Sequence, residues 1–533
     1  MKRLLFPALL LSVTTFNSWA QSPSVLWEKN YGGTQTEAFT DMIPTTDGGY
    51  VLLGATESHD NDIPANVHSG VDIFVVKINS TGTLQWARSI GGNGNETGYA
   101  MVEDADGDIV IVGDAYSANQ DFMMIPFAGG GKDVVVISLN SDGTIEWQKR
   151  YGGSGEDGAK SIQKIPGGGY IIAGSTDSPD DYDVSGMHYY NGTASTNDFW
   201  VLKLDASGDL VWQDCYGGGE DETTFGPGQD FATNVQNSES GGFIICGYTQ
   251  SADGDITTAL GANDFWVLKT DGSGNILWQK SFGGSGDDKP NSFVVVNDGY
   301  LIAGTTSSAN GDVNDNHSFG GYDGWIVKLD FNGNIVDKRA LGGTGSDYVY
   351  GISKTIDGGF LISGGSRSTA DDCEGNYGLR DFWTVKLNST LDIVWKRNLG
   401  DALMEEAYRC METIDGGYIA GGYTENNPNL TSGGTYGVVD LWVVKFGTAG
   451  VGVEDNSTAS FEIYPNPTTD FININGIAES SKMIIFNQSG MAVRTTIISQ
   501  DNQRVDLAGL AKGMYMVMIT DSKGTSTNKL IIQ

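Results

Sequence analysis

Residues 151–160 read YGGSGEDGAK. Its closely spaced glycines make the kind of turn whose free backbone N–H groups cradle phosphates, yet Glu156 and Asp157 would repel such a ligand. The stretch also recurs, as YGGTQTE (31–37), IGGNGNE (90–96), YGGGEDE (216–222), FGGSGDD (282–288), LGGTGSD (341–347) and the degenerate LGDALME (399–405). Five residues on from the first glycine there is always an acid: Glu37, Glu96, Asp157, Glu222, Asp288, Asp347 and Glu405. No G-x-x-x-x-G-K-[ST] accompanies any copy, and seven acidic anion cradles make no chemical sense. Repetition at this period signals a propeller, solenoid or array.

Other landmarks keep step. A turn and strand follow each loop, as in TTDGGYVLLG (45–54), IPGGGYIIAG (165–174) and TIDGGYIAGG (413–422). A long polar loop then leads to a strand opened by an aspartate: Asp72, Asp133, Asp198, Asp264, Asp323, Asp381 and Asp440. A hairpin turn follows, and then a strand carrying Trp at 27, 86, 147, 212, 278 and 395, with Val336 at the remaining place. Each unit thus holds four short strands, a to d, within about 60 residues, as a propeller blade does. The chain starts on an isolated d strand (SVLWEKNYGG, 24–33), and unit seven stops after its c strand at Lys445. The first strand can therefore complete the last blade and leave no open edge. The expectation is an all-β protein: a seven-bladed β-propeller over 21–446, a linker over 447–460 and a small C-terminal β-sandwich over 461–533. The repeated Trp and c-strand aromatics read as packing between blades.

In such a meander the d–a and b–c connections share one face, and loops on a rigid scaffold are where binding usually resides. Ser-x-x-x-Asp recurs in the b–c loops, which makes Asp62, Asp121, Asp183, Asp255, Asp312 and Asp372 candidate oxygen ligands for calcium. The competing reading is structural: the seven loop acids and the seven c-strand aspartates accept loop N–H bonds and lock the blades. DADGD (104–108) opens like an EF-hand loop, but Ile109 and Ala115 break the pattern. The histidines fall in the same loops, with His68, His188 and His317 at different offsets before the c-strand aspartate, which argues against a symmetric metal cage. The blade-three insert DYDVSGMHYYNGTASTN (181–197) departs most from the repeat and nominates His188, Tyr189 and Tyr190, with His68 and His317, as a ligand face. No HExxH or GxSxG motif supports catalysis.

Composition limits the partners. The formal charge of −36 repels nucleic acid and anionic lipid, and suits cations, cationic partners or neutral glycans. Lys2-Arg3, the apolar run Leu4–Val13 and Ser18-Trp19-Ala20 read as a signal peptide over 1–20; no later stretch is apolar enough for a transmembrane helix. Cys215, Cys246, Cys373 and Cys410 allow one or two disulfides in an oxidising compartment.

The tail carries YPNP (Tyr464, Pro465, Asn466, Pro467) followed by Thr-Thr-Asp, then LAKGMYMV with Gly513 and Tyr515, then a terminal KLIIQ beginning at Lys529. This combination resembles the type A C-terminal sorting domain of the type IX secretion system. The resemblance implies a Bacteroidota source, export through the type IX machinery after a Sec signal, and release or attachment to surface lipopolysaccharide. The c–d hairpins resemble quinoprotein propeller repeats, with no quinone-binding feature. The repeats also look like those of uncharacterised secreted Bacteroidota proteins, some loosely labelled endoglucanases. The expectation is a secreted or cell-surface binding, adhesion or nutrient-capture module whose ligand is a glycan or a protein. The alternatives are a polysaccharide hydrolase or lyase working from the long-loop face, and a passive surface-layer component.

Overall fold

The computed structural model describes residues 22–64, 68–123, 130–190, 192, 196–220, 227–313, 321–373, 375–425, 437–448, 461–475, 481–486, 492–499, 504–510, 512–521 and 524–532. The signal-peptide reading of 1–20 lies outside them. The chain divides into two compact units, Met1–Gly450 and Val451–Gln533.

The first unit is a seven-bladed propeller. Its a strands are Glu37–Pro44, Glu96–Glu103, Asp157–Lys164, Asp230–Asn237, Asp288–Val296, Asp347–Lys354 and Glu405–Glu412. Six sheets are consecutive a-b-c-d meanders; the seventh takes Val25–Tyr31 as its d strand, paired antiparallel with Val439–Phe446. The register runs from Trp27 opposite Lys445 to Tyr31 opposite Leu441. Each a strand packs against the a strand of the next blade, and Glu405–Glu412 closes against Glu37–Pro44, so the a strands surround the axis.

The b and c strands are buried on both faces, as in Tyr50–Thr56 and Asp72–Ile78, and this explains their near-continuous runs of Val, Ile and Leu. Aromatic side chains bridge the blades: Phe199 meets Trp266 at 4.6 Å, and Phe382 meets Trp442 at 4.9 Å, between ring centroids. The d-strand tryptophan covers the hairpin turn of the next blade. There Gly208 adopts φ +79°, and a Cβ would lie 2.6 Å from the Trp147 ring; only glycine meets both demands. In blade five the register corrects the sequence reading: Asp337, opposite Lys328, takes the place where other d strands carry Trp, and Val336 is an exposed neighbour like Val211 and Leu277, so the second demand is relaxed there. The matching turn residue in the next blade is Leu391, held at φ +60° and buried in the cluster with Val349, Phe360 and Leu387. One departure from the repeat explains the other.

The cysteine expectation is corrected. Cys215, Cys246, Cys373 and Cys410 are all buried and unbonded, placed in different strands and loops of the propeller. Burial pushes the Cys410 thiol up to about 12, as expected of packing residues rather than reactive ones.

The second unit is a sandwich of a three-stranded sheet (Glu462–Tyr464, Phe471–Asn475, Arg504–Asp506) and a four-stranded sheet (Ala492–Ile498, Ser481–Phe486, Gly513–Asp521, Gly524–Ile532). Its core includes Ile472, Ile485, Tyr515, Val517 and Leu530. The YPNP turn is tied to the last strand, because Asn466 Oδ1 accepts the Ile531 N–H at 2.9 Å and Thr468 N–H donates to the Ile531 carbonyl at 2.9 Å. Lys529 lies on that strand, opposite Met516. Two motifs far apart in sequence thus form one edge.

Candidate functional site

The glycine-rich d–a loops do present their N–H groups as a cradle, and the protein's own side chains fill it. In all seven blades the acid opening strand a accepts the N–H of the second loop residue, at 2.7 to 3.1 Å. In blade three, Gly153 N–H reaches Asp157 at 2.7 Å and Ser178 Oγ donates to the same carboxylate at 2.8 Å. Ser154 N–H goes to Asp181 at 3.0 Å, and Gly155 N–H to Ser178 Oγ at 2.8 Å. The Ser-x-x-x-Asp aspartates complete the clasp. Asp62, Asp121, Asp183, Asp255 and Asp312 each accept the first loop N–H at 3.0 to 3.4 Å. Asp372 lies 3.6 Å from the Arg339 guanidinium, and its own N–H donates to the Gly342 carbonyl. Among the described residues no three His, Cys, Asp or Glu side chains converge as a metal-binding group.

Blade four corrects the sequence reading. The acid in the ring position is Asp230, which accepts Gly218 N–H at 2.9 Å and Ser251 Oγ at 2.8 Å. Its loop carries a longer insertion, so a fixed offset of five selects Glu222 instead; Glu222 lies outside the described residues.

The first loop glycine sits between two buried carboxylates, the c-strand aspartate of one blade and the ring acid of the next. A Cβ at Gly217 would lie 2.6 Å from Asp198 Oδ1 and 2.7 Å from Asp230 Oδ2, and Gly342 is hemmed in the same way by Asp323 and Asp347. Asp72, Asp133, Asp264, Asp381 and Asp440 take the same place at Gly91, Gly152, Gly283, Gly400 and Gly32. Burial drives these carboxyls upward: Asp157 to about 6, Asp230 to about 7, Asp381 to about 6 and Glu405 to about 8. The hydrogen bonds they accept only partly offset the desolvation.

His68 and His188 pin adjacent blades together. His68 Nδ1 lies 3.1 Å from Asp72 and Nε2 3.7 Å from Asp121 of the next blade. His188 repeats this with Asp198 at 2.7 Å and Asp255 at 3.7 Å; its bond to Asp198 holds the imidazole above its ordinary range, against the effect of burial. Tyr189 is partly exposed and its hydroxyl accepts the Asp180 N–H at 2.9 Å, whereas Tyr190 is half-buried. His317 lies outside the described residues. His68 and His188 thus serve different blade junctions and share no partner.

The departure from seven-fold symmetry lies elsewhere, at the axis. Positions two and four of each a strand alternate with buried neighbours and sit within three residues of the ring acids, on the long-loop side. They read Ala38/Thr40, Thr97/Tyr99, Gly158/Lys160, Phe231/Thr233, Lys289/Asn291, Tyr348/Tyr350 and Glu406/Tyr408. Tyr350 stacks on Tyr408 at 4.6 Å with an interplanar angle of 5°, and Tyr348 lies 5.5 Å from Tyr322. The hydroxyls of Tyr350 and Tyr408 donate to Glu406 at 3.1 and 3.0 Å. Arg380 pairs with Glu406 and covers the Tyr348 ring at 4.3 Å. Burial keeps both phenols protonated, with Glu406 adding to the effect, so they remain donors. Elsewhere around the ring of a strands, Lys160 lies 3.2 Å from the Tyr99 centroid and Lys289 5.0 Å from that of Tyr248. The site is an aromatic mouth with fixed hydrogen-bond donors and acceptors. Sequence reasoning missed it, although Lys160 closes the stretch YGGSGEDGAK. The available signal was the two strand-a positions that never repeat.

Comparisons with known proteins agree with the division into units. Residues 462–533 match the model of the secretion system C-terminal sorting domain. The tail is such a domain; it engages the type IX secretion machinery and directs the chain to the cell surface or exterior. Beta-agarase A of Zobellia galactanivorans is 32% identical over 111 residues, covering 19% of this chain and 20% of the agarase. Regulatory protein FlaEY of Caulobacter vibrioides is 24% identical over 546 residues, covering 94% of this chain and 55% of FlaEY. The chain thus spans about a fifth and about half of these relatives. Among solved structures, the phage phi92 endosialidase aligns with 96% of this chain and 88% of its own at 11% identity and a TM-score of 0.38. The plexin A4 extracellular region aligns with 94% of this chain and 67% of its own at 7% identity and 0.46. Among the described residues no helix is long and apolar enough to cross a membrane.

Proposed function

We propose that the chain is a secreted or surface-attached glycan-binding protein whose ligand seat is the axial mouth on the long-loop side. The carrying observation is that strand-a positions two and four hold aromatic rings, Tyr99, Phe231, Tyr348, Tyr350 and Tyr408, on a scaffold whose other features repeat. Aromatic faces offer apolar contact to the C–H faces of sugars, and tyrosine hydroxyls and guanidinium groups offer directional hydrogen bonds beside them. A structural role would need only what the other blades supply, namely Thr40 or Asn291. The surface-sorting tail is consistent with this reading, and the stretch shared with an agarase lends lesser support.

The test is a glycan array and affinity electrophoresis with the full chain, beside the variants Tyr348→Ala and Tyr408→Ala. Binding weakened about tenfold in both variants, with unchanged thermal unfolding, supports the reading. Glycan binding indifferent to both substitutions, or no glycan binding at all, overturns it. Cleavage of a bound polysaccharide in the same assay would turn the mouth into an active site, with Glu406 as the first carboxylate to replace.

A further inference from the structure

We propose that the axial mouth selects anionic polysaccharides, with Lys160 and Lys289 receiving carboxylate or sulfate groups while the tyrosines hold the sugar rings. This rests on the glycan-binding reading and narrows its ligand to one chemical class.

The chain carries 67 acids against 31 lysines and arginines, so a cation can readily find a carboxylate, and many do. Lys77 pairs with Asp47, Lys132 with Asp114, Lys269 with Glu239, Lys386 with Asp357 and Lys445 with Asp415. Lys160 and Lys289 take part in none of the ion pairs among the described residues. What each has is a tyrosine ring beneath its ammonium, Tyr99 and Tyr248. Lys160 occupies position four of strand a in blade three, where other blades carry Thr40, Tyr99, Thr233 or Asn291, and Lys289 position two in blade five, where others carry Ala38, Thr97, Phe231 or Tyr348. A neutral residue therefore fits the fold.

Lys160 stands in a confined setting. Water reaches it, yet enclosure by the surrounding protein pushes its ammonium down to about 8, Lys132 contributing and Asp114 opposing. With its nearest acid, Asp114, already paired to Lys132 and no carboxylate among the described residues in ion-pair contact, this under-solvated cation offers a seat to a counter-ion from outside. The aromatic rings do not neutralise it; a cation over a ring face keeps its charge. Arg380 is the poorer candidate because Glu406 already holds it. The arrangement also answers the problem of the acidic surface. A chain of this net charge repels polyanions in general, so any polyanion it retains is held where local charge is reversed. Binding an anion there favours the charged lysine, so the affinity should fall as pH rises past about 8.

The experiment uses the full chain in affinity electrophoresis and calorimetry against polygalacturonate (carboxylated), dextran sulfate (sulfated), and dextran and agarose (neutral). The variants are Lys160→Met, Lys289→Met and Lys160→Arg. The expected result is binding to at least one polyanion and at least tenfold weaker binding to the neutral polymers. Each methionine variant should lose about tenfold in affinity for the polyanion, with a smaller loss in Lys160→Arg, which keeps the charge. The carboxylated and sulfated arms identify the source of the anion. Neutral polymers bound as tightly as polyanions, through the tyrosines, overturn this proposal and leave the glycan reading intact. Polyanion binding unchanged in both methionine variants overturns it as well, since the anion then sits elsewhere. Absence of binding to every polymer overturns both readings. Matching unfolding curves for variants and parent exclude misfolding as the cause of a loss.

Discussion

Replacing Asp157 by asparagine should reverse sign with pH. In the folded protein this carboxyl titrates at about 6, against about 3.9 for an unperturbed aspartate. The folded state therefore binds a proton between these values that the unfolded state does not, so this site's contribution to stability falls as pH rises through the interval. The two units between them correspond to roughly 3 kcal/mol at the outside. Asparagine carries no charge to desolvate and removes that slope. It accepts fewer of the bonds from Gly153 N–H, Ser178 Oγ and Thr176 Oγ1, which costs about 1 kcal/mol at every pH. The variant should be less stable than the parent at pH 4, where only about 0.5 kcal/mol of the penalty has accrued, and more stable at pH 7.5, where nearly all of it has. Urea unfolding followed by tryptophan fluorescence is the assay, because the residues after Trp442 contain no tryptophan and the signal reports the propeller alone. A variant destabilised equally at both pH values, or a parent whose stability is flat from pH 4 to 7.5, refutes the buried-carboxylate argument.

Further outcomes follow from the same geometry. Leu391→Gly should cost about 2 kcal/mol through the cavity it leaves, and adding Asp337→Trp, which restores the Trp-on-Gly pairing, should recover part of that in a double-mutant cycle; additive effects would refute the coupling. Chelation with EDTA should leave the melting temperature of the propeller unchanged, since the loop aspartates accept the loop's own N–H groups; a drop of several degrees, reversed by calcium, would restore the calcium reading. Deleting residues 22–31 exposes the edge of Val439–Phe446 and should produce self-association visible by light scattering, whereas a monomer of parental stability would show that ring closure contributes little.

Much of the architecture was legible because each blade repeats the same local solution. The YGG loop, the Asp-opened c strand and the Trp-on-Gly hairpin are decided within short range, and seven copies average out local noise. The closing strand was legible because an unpaired d strand at one end needs an unpaired c strand at the other. Failures came where one copy departed. The insertion in blade four moved the ring acid to Asp230, which a constant offset cannot follow. The cysteines, read as potential bridges, lie apart on a d strand (Cys215), a b strand (Cys246), a b–c loop (Cys373) and an a strand (Cys410). The axial mouth was hidden for a different reason. Tyr99, Lys160, Lys289, Tyr348 and Tyr408 span more than 300 residues of chain, and only closure of the ring brings them together. Long inserts are the conspicuous departures in the sequence, while two side chains per blade carry the asymmetry.

The clasp between Val25–Tyr31 and Val439–Phe446 also governs how the propeller meets mechanical load. Tension arriving along the chain beyond residue 447 enters at the end of Val439–Phe446. That strand is hydrogen-bonded on both sides, to Val25–Tyr31 and to Tyr418–Glu425. The bonds run perpendicular to the strand, so a pull along it shears both ladders at once. Had the last strand been an outer d strand, the same pull could have unzipped it bond by bond. By ending one strand short of the edge, the chain makes its point of tether a bolt rather than a flap.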